Sequence, residues 1–167
     1  MDADALRATQ APLKDRYRAD PDAAVITLRA RGDLSHTDVA CSIDTGSALV
    51  RAGLHPATGG DSSLACSGDL LLQALVACAG VTLRAVATNR GIDVAGTVHA
   101  EGDLDVRGTL GVDRDAPVGF RSIRLTFDLT SPGGSQEVDD LIATTERYCV
   151  VLQTLLRPTE VLVDHSG

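Results

Sequence analysis

Cysteine is the residue type in this sequence whose chemistry is most distinctive, and it occurs at Cys41, Cys66, Cys78 and Cys149. Their spacing contains no C-x-x-C pair, which excludes a zinc ribbon or a thioredoxin-type motif. The four histidines are scattered and form no H-E-x-x-H motif, so the sequence predicts no metal site. The chemistry that these residues can supply is therefore that of thiols.

Cys78 lies in the middle of a nearly continuous apolar stretch, GDLLLQALVACAGVTLRAVATNRG, residues 68–91. Ser67 is the expected N-cap, Asp69 lies in the first turn where negative charge suits the helix dipole, and Gly91 can cap the C-terminus. Because apolar residues cover every face of this helix, it is predicted to be buried and central. Cys78 is then a small core residue, unless other groups make it reactive.

Length and charge limit the classes of function. The 167 residues fit one domain, over residues 1–167, with residues 1–22 as an N-terminal helical extension. The net charge of −8 argues against nucleic acids and anionic membrane surfaces as partners. No glycine-rich nucleotide loop occurs and Lys14 is the single lysine, so no cofactor is predicted.

The sequence also predicts a cytoplasmic protein. The first 20 residues are charged throughout and lack the apolar segment of a signal peptide. The long apolar stretch contains Gln73, Thr82 and Arg84, which make it look too polar for a membrane span.

Hydrophobic periodicity predicts an α+β fold with a largely antiparallel sheet around the central helix. A short helix is expected from Pro12 to before Pro21. Predicted strands cover AAVITLRARGDL, TDVACSID, SALVRAG, IDVAGTVHAEGDLDVRG, VGFRSIRLTFDLTS and the final TEVLVDHSG, with a turn at residues 44–46. Two further helices are expected in QEVDDLIATTERY and CVVLQTLLRP. In the strand VGFRSIRLTFDLTS, the inward positions are Ile123, Leu125, Phe127 and Leu129.

These elements resemble the OsmC/Ohr family of osmotically inducible and organic hydroperoxide resistance proteins. The resemblance lies in a glycine-rich loop, an acidic residue and a leucine run leading into ALVACAGVTL, followed much later by ERYCVVLQTL. It extends over roughly residues 55–163. The family implies an intertwined homodimer in which sheets from both chains enclose both central helices.

The resemblance also implies a thiol peroxidase that acts on organic hydroperoxides without metal or haem. Cys78 takes the place of the peroxidatic cysteine and Cys149 that of the resolving cysteine. The first thiol attacks the peroxide and becomes a sulfenic acid. The second condenses with it to a disulfide, which an external dithiol reduces. The abundance of Leu and Val predicts an apolar pocket, which favours organic hydroperoxides.

In the family, an arginine held by a carboxylate lowers the pKa of the peroxidatic thiol. Asp69 matches the acidic position, nine residues before Cys78. Nine helical residues span about 13 Å, so Asp69 can act only through an arginine. Arg31 is the favoured arginine, and the alternatives are Arg29, Arg51 and Arg18. Asp69 also has a simpler interpretation as a charge that favours the helix N-terminus.

Two departures from the family pattern leave alternatives open. Cys66 is an additional cysteine that competes with Cys149 for the resolving role, and Val150 stands where family members often have proline. Cys41 alternates with apolar neighbours and is predicted to lie in the core. The alternative function is that of a non-catalytic protein of this fold, which binds a small apolar ligand at the dimer interface with inert cysteines.

Overall fold

A computed structural model describes residues 3–33, 42–43, 52–157 and 159–165. The side chains of residues 3–7, 27–33 and 42–43 are outside that description. The predictions for Cys41, Arg51 and the turn at residues 44–46 lie outside the described residues, as do most of the strands TDVACSID and SALVRAG.

Five α-helices occur in the described ranges. They are α1 (Ala3–Ala19), α2 (Ser67–Arg90), α3 (Val106–Thr109), α4 (Ser135–Tyr148) and α5 (Val150–Leu156). Single 3₁₀ turns cover Pro21–Ala24 and Pro56–Thr58. The long helix α2 ends as the sequence predicts, because Gly91 adopts the left-handed conformation with φ of 66° and its N–H bonds to the last turn.

The described strands form one antiparallel sheet and one short parallel pair. They are β1 (Val25–Asp33), β2 (Ser42–Ile43), β3 (Ala52–Gly53), β4 (Ala65–Cys66), β5 (Ala95–Asp105) and β6 (Phe120–Thr130). The large sheet has the order β2–β1–β5–β6, and β3 pairs with β4. Strands β1, β5 and β6 pair in long antiparallel registers. This architecture confirms the α+β class with an antiparallel sheet.

The core lies between α2 and one face of the large sheet. Helix α2 contacts β1 and β5 on one side and packs against α4 and α5. Its buried residues are Leu72, Leu75, Val76, Ala79, Gly80, Leu83 and Ala87. The inward positions predicted for β6 are confirmed, since Ile123, Leu125, Phe127 and Leu129 all pack on this cluster. The wrapping of sheets around α2 and the intertwined dimer stay predictions.

Helix α2 is long and apolar enough to cross a membrane by length and composition, with a mean hydropathy of 1.9. The expectation that Gln73, Thr82 and Arg84 make it too polar is therefore wrong. Burial offers another explanation for this composition, because Leu75 and Leu83 are fully buried in the chain's own core. The core helix of a globular protein passes the same compositional test, and we interpret α2 in that way.

Three local predictions are corrected by the structure. Helix α1 begins at Ala3 and contains Pro12 in its interior. The N-cap of α2 is Cys66, not Ser67, and it makes no side-chain capping bond. Residues 159–165 form no strand; their apolar side chains, such as Leu162, are exposed, so burial against the core does not favour a strand there.

Candidate functional site

Cys78 meets the junction between α4 and α5. Its position near the middle of α2 faces the place where α4 ends and α5 begins, and Cys149 is the residue between these two helices. The Cys149 N–H bonds to the Thr145 carbonyl at 2.8 Å, and its own carbonyl accepts from the Gln153 N–H at 2.9 Å. Cys149 is thus fixed by both neighbouring helices.

The two thiols share the main hydrophobic core. Cys149 is fully buried, and Cys78 is half-buried and packed against the same cluster. Both are free cysteines, and they lie close enough for each thiol to shift the pKa of the other. Tertiary packing therefore brings together two thiols that are 71 positions apart in sequence. The structure brings together the two cysteines that the sequence analysis paired.

Burial raises the pKa of Cys78, but hydrogen bonds to its sulfur outweigh burial and hold this pKa below its ordinary value. The largest of these comes from the Val151 N–H, followed by the Cys149 thiol, the Thr82 hydroxyl and the Val150 N–H. Each donor favours the thiolate over the thiol. Cys78 therefore has the environment of a reactive thiol, although its surroundings are apolar.

Cys149 shows the opposite shift. Burial is the main cause that raises its pKa to about 11, and the Leu152 N–H lowers it by less. The hydrogen bond that Cys149 donates to Cys78 and the charge on Cys78 raise it further. The pair therefore consists of a Cys78 whose pKa lies below its ordinary value and a Cys149 that stays protonated at neutral pH.

Asp69 lies in the first turn of α2, and the structure places His55 beside it. Burial raises the pKa of Asp69, and the charge interaction with His55 lowers it by less. His55 caps the 3₁₀ turn at Pro56–Thr58, its Nδ1 accepting from the Ala57 N–H at 3.0 Å. Asp69 is about 13 Å along the helix from Cys78, so the structure does not bring these two residues together.

The candidate arginines lie in different places. The backbone of Arg31 pairs with His99 in the register of β1 and β5, and that of Arg29 pairs with Glu101. The side chains of both arginines are outside the described residues, so the choice of Arg31 stays a prediction. Arg18 is on α1, where it forms an exposed ion pair with Asp15 at 2.7 Å. Arg51 is outside the described residues.

Cys66 is separated from Cys78 by the length of a continuous helix. It precedes the first residue of α2, and twelve residues at 1.5 Å each place it about 18 Å from Cys78. A disulfide requires the Cα atoms to lie within about 7 Å. A bridge between Cys66 and Cys78 of one chain would therefore need α2 to unwind, which argues against Cys66 as the resolving cysteine within one chain.

An apolar groove lies between α2, β6 and α5. Its volume is about 510 Å³, and its lining includes Leu71, Leu75, Phe120, Arg121, Ser122, Ile123, Leu125, Leu152, Leu155 and Leu156. Leu71 and Leu75 are on the same face of α2 as Cys78, because they precede it by seven and three residues. A second apolar cavity of about 440 Å³ lies at the head of α2, beside Cys66 and His55.

Sequence reasoning missed the groups that contact the Cys78 sulfur. Peptide N–H groups, such as those of Val150 and Val151, have no residue signature, so only the folded chain could show them. Thr82 had a signal, because a hydroxyl four residues after a helical cysteine lies on the same face. Within the described ranges, no three His, Cys, Asp or Glu side chains converge as metal ligands.

The family model of OsmC-like protein matches residues 60–164, so the chain belongs to the OsmC-like family. Among solved structures, it is similar to an OsmC-like hydroperoxide resistance protein from Jannaschia sp. CCS1, with a TM-score of 0.54 and 17% identity. That alignment covers 83% of this chain and 91% of the other. At this identity the likeness shows the fold alone. A search of curated proteins finds no match.

Proposed function

We propose that the protein is a thiol-dependent peroxidase that reduces organic hydroperoxides, with Cys78 as the peroxidatic cysteine and Cys149 as the resolving cysteine. The observation that carries this proposal is the contact of two thiols with opposite pKa shifts. A peroxidatic thiol must be ionised near neutral pH. A resolving thiol must lie close enough to condense with the oxidised product. Membership of the OsmC-like family supports the same function.

The reaction balances without a cofactor. The Cys78 thiolate attacks one peroxide oxygen, the O–O bond breaks, and the alkoxide leaves and takes a proton to become the alcohol. The sulfenic acid on Cys78 then condenses with the Cys149 thiol, and a disulfide forms with release of water. An external dithiol reduces this disulfide by exchange and is itself oxidised.

The apolar groove supports an organic substrate. Leu71 and Leu75 line the groove and lie on the face of α2 that carries Cys78, so an alkyl or aryl group bound there would be held on the same side of α2 as the thiol. Such a group gains from burial roughly in proportion to its apolar area, whereas hydrogen peroxide has none. We expect organic hydroperoxides to react faster than hydrogen peroxide.

A second copy of the chain is proposed to cover the groove, giving a homodimer. Apolar side chains remain exposed along its rim, with Leu156 at 66%, Leu155 at 40% and Leu71 at 38% exposure. Contiguous exposed apolar patches are typical of interaction sites. We expect sedimentation to show a dimer at micromolar concentration. Leu156→Glu should weaken it, while Thr126→Glu on an exposed position of β6 should not.

The cycle needs a compartment in which dithiols are kept reduced, and we therefore place the protein in the cytoplasm. Localisation of a tagged full-length chain, by fractionation, tests this placement. Recovery in an oxidising compartment would contradict it.

The deciding experiment is oxidation of the reduced protein by one equivalent of cumene hydroperoxide, followed by non-reducing peptide mapping. We expect a selective intrachain Cys78–Cys149 disulfide, and steady-state peroxide consumption when a dithiol is supplied. The same treatment with hydrogen peroxide provides the comparison of substrates.

Slow oxidation of all the cysteines at similar rates would reject the peroxidase. The second apolar cavity, at the head of α2, favours the ligand-binding alternative in that case. A Cys66 bridge in place of Cys149 would keep the peroxidase and reassign the resolving role.

A further inference from the structure

Cys149 is the single residue that connects α4 to α5, and its backbone is extended, with φ of −71° and ψ of 105°. Its N–H bonds to the Thr145 carbonyl in α4, and its carbonyl accepts from the Gln153 N–H in α5. The first bond moves with α4 and the second with α5. A rotation about the φ or ψ bond of Cys149 therefore changes the angle between the two helices without breaking either bond.

The side chain of Gln153 forms a bond that such a rotation would break. Its Nε2 donates to the backbone carbonyl of Glu146 at 2.9 Å. Glu146 lies in the last turn of α4, where carbonyl groups lack partners within their own helix. Gln153 belongs to α5 and is half-buried. This hydrogen bond therefore joins the two helices on either side of Cys149 and restricts the angle between them.

Other polar side chains of these helices bond within their own helix. On α4, Gln136 Nε2 donates to the Asp140 carboxylate at 3.3 Å. On α5, the Thr154 hydroxyl donates to the Val150 carbonyl at 2.8 Å. Neither bond crosses the junction, so neither restricts the backbone of the residue between the helices. Gln153 differs from both in the pair of elements that it connects.

The angle at this junction decides where the Cys149 sulfur lies. Cys149 is fully buried in the core cluster against which Cys78 packs, and α2 contacts both α4 and α5. The Cβ atom of Cys149 turns relative to α4 with φ and relative to α5 with ψ. A disulfide tolerates only a narrow range of Cβ–Cβ separations, about 3.5–4.5 Å. A small change in the junction is therefore enough to separate the two sulfurs.

We propose that Gln153 is a positioning residue for Cys149, whose side-chain amide ties α5 to α4 and holds the Cys149 sulfur where it can bond to that of Cys78. This role rests on the proposed peroxidase function. In that reaction the Cys149 sulfur attacks the sulfenic acid on Cys78, the S–O bond breaks, and water leaves as the disulfide forms. Gln153 touches neither sulfur and acts through the junction.

The test is the equilibrium of the full-length protein with glutathione redox buffers, in the absence of peroxide. As the two protein thiols join, oxidised glutathione is reduced to two thiols. Non-reducing peptide mapping then gives an equilibrium constant for the Cys78–Cys149 disulfide. Gln153→Met keeps the length of the side chain and removes the donor, so this constant should fall about three- to tenfold. Gln153→Lys, which keeps a donor for the Glu146 carbonyl, should restore most of the loss.

Gln136→Met is the matched control, because it removes a glutamine bond that stays within α4; its constant should equal that of the wild type. A merely structural role would lower the unfolding temperature without changing the constant of the folded protein. Should Gln153→Met misfold, Gln153→Ala removes the same amide with a residue that favours helix.

An unchanged constant in a folded variant without the amide overturns the proposal, as does a loss that Gln153→Lys does not restore. A wild type that forms no Cys78–Cys149 disulfide at any glutathione ratio also overturns it. Failure of the peroxidase has a different signature. The wild type would then form this disulfide with glutathione but would oxidise without selectivity in cumene hydroperoxide, and the comparison of Gln153 variants would remain valid.

Discussion

The middle of α2 and the α4–α5 junction each hold one thiol of the proposed pair, and the two differ in the hydrogen bonds their sulfurs receive. Burial is the largest influence on both thiols and raises the pKa of each. At Cys78, four donors reverse that effect. At Cys149, the thiol itself donates to Cys78, and its pKa rises to about 11. Burial alone therefore does not decide whether a thiol is reactive. The direction of the hydrogen bond between the two sulfurs helps to separate their roles.

The largest expected effect comes from removing the more acidic thiol. Cys78→Ser should abolish peroxide consumption, because serine in this site cannot supply a thiolate. Cys66→Ser is the matched control and should retain the activity, since Cys66 lies about 18 Å from Cys78. Steady-state peroxide consumption with a dithiol donor measures the activity of both variants. Activity in Cys78→Ser would reverse the assignment of the two thiols.

Removing the less acidic thiol, Cys149, should affect the oxidation product of Cys78 more than the rate at which Cys78 first attacks the peroxide. Cys149→Ser should leave Cys78 as a sulfenic acid after one equivalent of peroxide, and as a sulfinic acid in excess peroxide. Mass spectrometry of the trapped sulfenic acid measures this outcome. An intrachain disulfide that still forms in this variant would show that another cysteine resolves Cys78.

An arginine variant tests whether the hydrogen bonds at the α4–α5 junction are sufficient to stabilise the Cys78 thiolate. Arg31→Ala should slow peroxide consumption roughly tenfold or more, if a guanidinium adds to the stabilisation of the thiolate. Arg29→Ala is the matched variant two residues away on β1. Equal rates for both variants and the wild type would mean that donors from α2 and the junction account for the shift at Cys78.

The pH profile measures the difference between the two thiols directly. Alkylation of Cys78 should rise with pH through a midpoint below that of an ordinary thiol, whereas Cys149 should remain unreactive until near pH 11. Only the thiolate is alkylated, so each rate falls about tenfold per pH unit below its pKa. Peptide mapping after timed alkylation gives the rate for Cys78 and the rate for Cys149 separately. Coincident profiles would refute the asymmetry.

The smallest effect is expected at the head of α2. Asp69→Asn should reduce activity less than Arg31→Ala, because Asp69 can influence Cys78 only through an intermediate group. In the double variant the second change should add little, which a double-mutant cycle of kcat/KM measures. Additive losses would show that Asp69 acts independently of Arg31, for instance through its interaction with His55.

Much of the fold could be predicted because its long elements have strong periodicity. The strand β6 alternates over its whole length, and α2 is apolar with a glycine at its end. The two terminal segments were harder to predict. Pro12 predicts the start of a helix, because proline is common in the first turn of helices. In the structure α1 begins at Ala3 and contains Pro12 in its interior. The final apolar residues 161–163 match a strand pattern, yet a strand also needs a neighbour, and the described structure gives them none.

The candidate site was predictable in part, since side chains leave a signature and the backbone does not. Cys78 and Cys149 could be paired from their surrounding sequence. The N–H groups of Val150 and Val151 reach the sulfur because a helix begins at that point in space. No residue type specifies this arrangement. Thr82 is visible in the sequence only as a polar interruption of an apolar run.

The long separation of Cys78 and Cys149 in sequence also has a consequence for resistance to heat and denaturant. A covalent bridge between them encloses β5, β6 and α4, so it restricts the unfolded chain over 71 positions. The loss of chain entropy for a loop of this length corresponds to about 4 kcal/mol at 25 °C. The oxidised form should therefore unfold at a higher temperature than the reduced form.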